Sequence, residues 1–314
     1  MDLESATELF EGARRPEQAR ALFAAASRVR DRSLGRKLTL TAHIHMVTRC
    51  ELSPSCSYCS LSSTIRRVQD ERDRLPTRAL LRAVKYARDR GVRSLVLVGG
   101  TDLQGSDRTV RKVVAAVRSV SDAEIAVDVG PSISPETVDW LRGENASTVY
   151  CSIETIRPKV FRIAKPGDDL EARIRFDEML NRHRVRMGNV VMNGLGRKED
   201  LLDSILFLRR FRRLLYLYIS TFRPVPGTPF VRKRPGSLGG SLRALAIARL
   251  ALPNVHLGLA EVEVEDPGSA ARTVSQLAAG GGNTFAGLLI YRNRTVDNLD
   301  RIRDEAATVG FTTS

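Results

Sequence analysis

Apolar and polar positions along the chain switch between two periods. The stretch Leu38-Thr39-Leu40-Thr41-Ala42-His43-Ile44-His45-Met46 alternates and predicts a strand. Further apolar runs of strand length fall at 92–98, 123–129, 148–153, 185–192, 215–221, 255–259 and 283–289. Helical spacing fills the intervals: 78–90, 106–120, a helix started by Ser134-Pro135, a short one near Val160, then 170–182, 200–211, 238–250, 269–278 and 296–306. Ser106 and Ser134 stand as helix caps, and Pro135 as a first-turn proline. Ahead of the first strand, two helices break near Arg15-Pro16. Parallel strands need crossover helices, and eight strand–helix units predict an α/β fold closed as a (βα)8 TIM-type barrel; an open doubly wound sheet is the competitor. The expected organisation is a helical extension over 1–36 and a barrel over 37–314.

The 314 residues suffice for one such barrel. The start, Met1-Asp2-Leu3-Glu4-Ser5, is not that of a signal peptide, and no apolar run approaches membrane-spanning length. With four cysteines and no targeting segment, the expectation is a cytoplasmic protein with no membrane partner. The net charge of +14 raises RNA as a partner. The basic residues are spread over nearly every helix and interleaved with acids, as in Arg301-Ile302-Arg303-Asp304, so no nucleic-acid partner is expected. A basic mouth for an anionic small molecule stays open.

Three of the four cysteines crowd into Cys50-Glu51-Leu52-Ser53-Pro54-Ser55-Cys56-Ser57-Tyr58-Cys59, directly after the first strand. Three thiolates on one loop can hold three irons of a [4Fe–4S] cluster and leave the fourth open. Zinc takes four ligands, and His43, His45 or Cys151 would have to complete such a site. In barrels of this type the chemistry lies at the C-terminal strand ends. The unusual residues gather there: the cysteine loop after strand one, Gly99-Gly100-Thr101-Asp102 after strand two, Glu154 after strand four, and Gly194-Leu195-Gly196 after strand five.

From about Leu38 onward the chain resembles the radical S-adenosylmethionine (radical SAM) enzymes, in the branch of biotin synthase, the [FeFe]-hydrogenase maturase HydE and methylornithine synthase. The family pattern is Cys-x3-Cys-x2-Cys with an aromatic before the last cysteine; here Tyr58 and the second spacing match, and the first spacing is two residues longer. The resemblance implies that Cys50, Cys56 and Cys59 hold the cluster and that S-adenosylmethionine chelates its fourth iron. It places Tyr58 near the adenine. Gly99, Gly100 and Thr101 stand at a glycine-glycine-glutamate motif that meets the methionine amino group, with threonine replacing the glutamate. Ser152 and Glu154 would contact the cosubstrate. Arg173 would pair with its carboxylate, the alternative being a solvated helix arginine. Met192, Gly194 and Gly196 would line adenine and ribose. The implied activity is reductive cleavage to a 5′-deoxyadenosyl radical, with ferredoxin or flavodoxin as electron donor.

The Cys-x5-Cys-x2-Cys spacing resembles the radical SAM family of [Fe]-hydrogenase maturation, HcgA or HmdB. That resemblance implies a role in making the pyridinol ring of the guanylylpyridinol cofactor. The alternatives are a methylornithine-synthase-like mutase or lyase on an amino acid, and a zinc-stabilised RNA-binding or scaffold protein. Sulfur insertion of the biotin-synthase kind fits badly, because Cys151 is the only cysteine outside the loop. Cys151 reads as a small core residue or a substrate-side thiol. Substrate contacts are expected among His43, His45, Asp128 and Arg223, with Asn189, Asn283, Glu261, Glu263 and Glu265 as further candidates.

Overall fold

A computed structural model describes residues 1–65, 73–144, 146, 148–260 and 267–314, leaving aside the side chains of 267–271. Glu261, Glu263 and Glu265 lie outside the described residues. Two helices, α1 (Leu3–Gly12) and α2 (Pro16–Leu34), precede the first strand. There follow β1 (Lys37–His45), α3 (Thr77–Asp89), β2 (Ser94–Val98), α4 (Asp107–Arg118), β3 (Glu124–Asp128), α5 (Pro135–Gly143) and β4 (Thr148–Tyr150). After α6 (Pro158–Ala164) and α7 (Leu170–Arg182) come β5 (Arg186–Asn193), α8 (Lys198–Phe207) and β6 (Leu214–Thr221). The chain ends with α9 (Leu238–Ala251), β7 (His256–Ala260), α10 (Pro267–Ala279), β8 (Thr284–Ile290), β9 (Thr295–Asp297), α11 (Leu299–Thr308) and β10 (Thr312–Thr313).

Strands β1 to β8 pair in order, all parallel, and β8 pairs back to β1, so the sheet closes into the predicted barrel. Alternation along each strand sorts the side chains. Leu40, Ala42, Ile44, Leu95, Leu97, Ile125 and Val127 face the helices and join the main core. Val96, Ala126, Tyr150, Tyr216 and Tyr218 fill the barrel interior as a separate cluster. Room for the Tyr150 ring comes from β5: a Cβ on Gly188 would fall on that ring. Helix α2 lies against the outside, where Ser27 Oγ donates to the Ala279 carbonyl at 2.9 Å and Arg30 bonds the Ala278 carbonyl.

Three local expectations change. β4 stops at Tyr150, because the Asn189 side chain replaces the strand ladder beyond it: its Oδ1 accepts from Ile153 N at 3.1 Å and its Nδ2 donates to the Cys151 carbonyl at 3.0 Å. Val296 and Asp297, expected to open the last helix, instead belong to β9, antiparallel to β8. Ser106 occupies the cap position of α4 without a side-chain capping bond. Its neighbour Asp107 accepts from Ser134 N at 2.9 Å and ties two helix starts together.

Candidate active site

The cysteine loop leaves β1 and folds over the β2 rim and the α6–α7 turn. Thr48 Oγ1 donates to the Gly100 carbonyl at 3.0 Å, Gly100 N to the Thr48 carbonyl at 3.1 Å, and Glu51 N to the Thr101 carbonyl at 3.0 Å. The approach is so close that a Cβ on Gly100 would clash with the Cys50 nitrogen, Cα and Cβ, and one on Gly99 would meet Thr48 Oγ1. The two glycines expected to face the cosubstrate thus also admit the cysteine loop. On the far side, Ser57 N and Oγ donate to the carbonyls of Ala164 and Ile163, both at 2.8 Å. A Cβ on Gly167 would meet the backbone of Ser53 and Pro54. The longer first spacing therefore lies on the turn after α6.

The donor set suits a cluster. Cys50, Cys56 and Cys59 are half-buried residues with free thiols on one loop, and Leu61 N donates to Cys59 Sγ at 3.4 Å. Among the described residues no three His, Cys, Asp or Glu side chains group closely enough for a single metal ion. A [4Fe–4S] cluster makes no such demand, since each thiolate takes a different iron. Burial pushes the Cys56 thiol up to about 12, against the pull of Lys165, and burial also raises Cys59. Iron supplies the positive charge that such thiolates need.

Across the rim, Arg173 spends its guanidinium inside the protein. Nε and Nη2 donate to Asp168 Oδ2 at 2.8 and 2.6 Å, Nη2 to Thr101 Oγ1 at 3.0 Å, and Nη1 to the Ser152 carbonyl at 2.8 Å. It is buried rather than a solvated helix arginine. It clamps the ends of β2 and β4 to the α6–α7 turn. Glu154 is buried at a left-handed φ of 60°, held by backbone bonds to Val190 and Met192. Burial raises its carboxyl, with nearby Lys165, Arg173 and Tyr58 pulling the other way, and its Oε2 has no hydrogen-bond partner.

Tyr58 packs with Met192, Leu195, Phe222 and Phe230, so the loop aromatic and the segment after β5 form one surface. Gly194 and Gly196 have local reasons as well: a Cβ on the first would meet Gly236, and one on the second Asp200 at the start of α8.

His43 and His45 share the inner face of β1. His43 stands edge-on to Tyr218, and His45 stacks on Tyr291 with ring centroids 4.2 Å apart. The residues keep some surface, but each Nε2 is shielded and lacks a hydrogen-bond partner. Burial lowers His43 to about 4 and His45 to about 3, so both rings are neutral. Asp128 ends β3, and burial raises its carboxyl to about 6. Arg223 follows β6, half-buried.

Two candidates do not line the site. Asn189 points behind β5, and its Nδ2 also donates to the fully buried Asp177 at 2.9 Å. Asn283 sits at the opposite end of the barrel, bonded to Arg249, Leu257 N and His256. Cys151 belongs to the outer core, its Sγ 3.9 Å from Arg173 Nη1. Lys165 and Asp168 were not anticipated. Their segment, Lys165-Pro166-Gly167-Asp168, carries an evident turn signal, but nothing local reveals that it packs beneath the cysteines.

Residues 44–208, about half of the chain, match the radical SAM superfamily. The chain belongs to this superfamily. Its members are enzymes that use a [4Fe–4S] cluster and S-adenosylmethionine. An uncharacterized protein of Methanocaldococcus jannaschii, MJ0785, is 27% identical over 238 residues, 75% of this chain and 63% of the relative. The chain thus spans less than two thirds of that relative's length. The [FeFe] hydrogenase maturase subunit HydE of Thermotoga maritima is 23% identical, over 76% of this chain and 67% of its own. Among solved structures, methylornithine synthase (PylB) superposes with a TM-score of 0.80 at 18% identity, covering 100% of this chain and 97% of its own. That likeness shows the fold. Among the described residues no helix is long and apolar enough to cross a membrane.

Proposed function

We propose that the chain is a radical SAM enzyme in biosynthesis of the guanylylpyridinol cofactor of [Fe]-hydrogenase, acting in formation of the pyridinol ring. When bound, the cluster and S-adenosylmethionine supply the electron and the 5′-deoxyadenosyl radical that takes hydrogen from a small substrate. Cys50, Cys56 and Cys59 hold the cluster. Tyr58, Met192, Ser152 and Glu154 border the cosubstrate, and Arg173 fixes the rim around it. His43 and His45 offer two shielded, neutral imidazoles to a substrate in the barrel, with Asp128 and Arg223 at its edge. The electron comes from a ferredoxin- or flavodoxin-type donor.

The Cys50-x5-Cys56-x2-Cys59 spacing supports the pathway assignment, through its resemblance to the radical SAM family of [Fe]-hydrogenase maturation. The test is anaerobic reconstitution with iron and sulfide, dithionite reduction, and assay of 5′-deoxyadenosine from S-adenosylmethionine. Wild type should form it and Cys56→Ala should not. Candidate pyridinol precursors should raise the yield. A yield raised by an amino acid instead would overturn the pathway and leave the radical SAM reading standing.

A further inference from the structure

The turn that seats the cysteine loop also brings a buried charge pair to it. Lys165 Nζ lies 3.2 Å from Asp168 Oδ2, with side chains 5% and 0% exposed. The backbone just before Lys165 receives both Ser57 hydrogen bonds, and Ser57 is the residue after Cys56. Gly167, between the pair, touches Ser53 and Pro54. The pair is therefore fixed to the cysteine loop at two points.

We propose that Lys165 and Asp168 set the reduction potential of the cluster, the ammonium favouring its reduced form and the carboxylate opposing it. Reduction adds one electron, supplied by an external donor, and takes [4Fe–4S]2+ to [4Fe–4S]+ with no change in the protein's charges. A buried cation stabilises the added negative charge, and the low dielectric strengthens the effect. Arg173 is a poorer control point, because its guanidinium also clamps two strand ends.

The inference rests on the cluster being held by Cys50, Cys56 and Cys59. Its test is potentiometry followed by electron paramagnetic resonance on the reconstituted full chain, without S-adenosylmethionine. Absence of a cluster signal in wild type would sink that underlying assignment. With the signal present, Lys165→Met should move the potential to a more negative value, Asp168→Asn to a more positive one, and Lys165→Arg should restore nearly the wild-type value. If Lys165→Met fails to hold a cluster, Lys165→Gln takes its place, with the same negative shift expected. Unchanged potentials, or shifts of the same sign in Lys165→Met and Asp168→Asn, would overturn the proposal. So would an unchanged potential with weakened S-adenosylmethionine binding in Lys165→Met, which would make the lysine a cosubstrate ligand.

Discussion

Gly100 and Cys50 occupy the same space to within a methyl group. A Cβ on the glycine would fall on the nitrogen, Cα and Cβ of the cysteine, all of them rigid parts of the loop. Gly100→Ala must therefore push the loop off β2, whereas Gly99→Ala meets side-chain atoms of Thr48 and Val129, which can shift more readily than backbone. The expected outcome is a several-fold loss of bound iron from the roughly four per chain of a loaded site in Gly100→Ala. Gly99→Ala should lose less, and both should keep a wild-type far-ultraviolet circular dichroism spectrum. Full iron retention in Gly100→Ala would contradict this account of the glycine.

Much of this site was legible because local rules and the fold point the same way. Strand alternation in Leu38–Met46 put His43 and His45 on one face, and the structure places that face inward. The cysteine loop was readable from spacing alone. The α6–α7 turn was not, because its importance comes from contacts across more than 100 residues, such as Ser57 with Ile163. Asn189 misled for a related reason. A polar residue on a strand reads as site-facing, and only the fold shows that it replaces a missing ladder next to Asp177.

The Asn189–Asp177 pair separates two kinds of buried polar group. Asn189 Nδ2 and Oδ1 serve Cys151, Ile153, Val190 and Asp177. Asn189→Ala strands several of these and should cost about 3 kcal/mol. Burial pushes the Asp177 carboxyl well above its ordinary value, toward the neutral acid. Asp177→Asn supplies a neutral side chain of nearly the same shape and should change stability by less than about 1 kcal/mol. Denaturant midpoints at pH 7 compare the two. Equal losses would show that Asp177 acts as a carboxylate.

Thr101 stands where the family pattern has glutamate, and its hydroxyl accepts from Arg173 Nη2 at 3.0 Å. Thr101→Val keeps the shape and leaves a buried guanidinium N–H unpaired. A loss of about 1–3 kcal/mol is expected, read from the denaturation midpoint. Thr101→Ser, which keeps the acceptor, should recover most of it. A valine variant as stable as wild type would mean that the clamp does not depend on this hydroxyl.

Acid should weaken the fold through the two barrel histidines. The imidazoles of His43 and His45 are held neutral, at about 4 and about 3, by burial. In the unfolded chain each binds a proton below about 6.5. Between that value and the folded one, the unfolded state carries more protons, so stability rises with pH and is lost as pH falls. The contribution is complete above pH 6.5 and is removed progressively down to pH 4 for His43 and pH 3 for His45. His43→Asn abolishes this titration while imposing a pH-independent packing cost. Its stability deficit against wild type should therefore shrink by about 2 kcal/mol between pH 7 and pH 5, measured by denaturant unfolding of apoprotein. His45→Asn should behave alike. Parallel wild-type and variant curves over that range would mean that the imidazoles are free to take up protons, and that the barrel interior is wet rather than shielded.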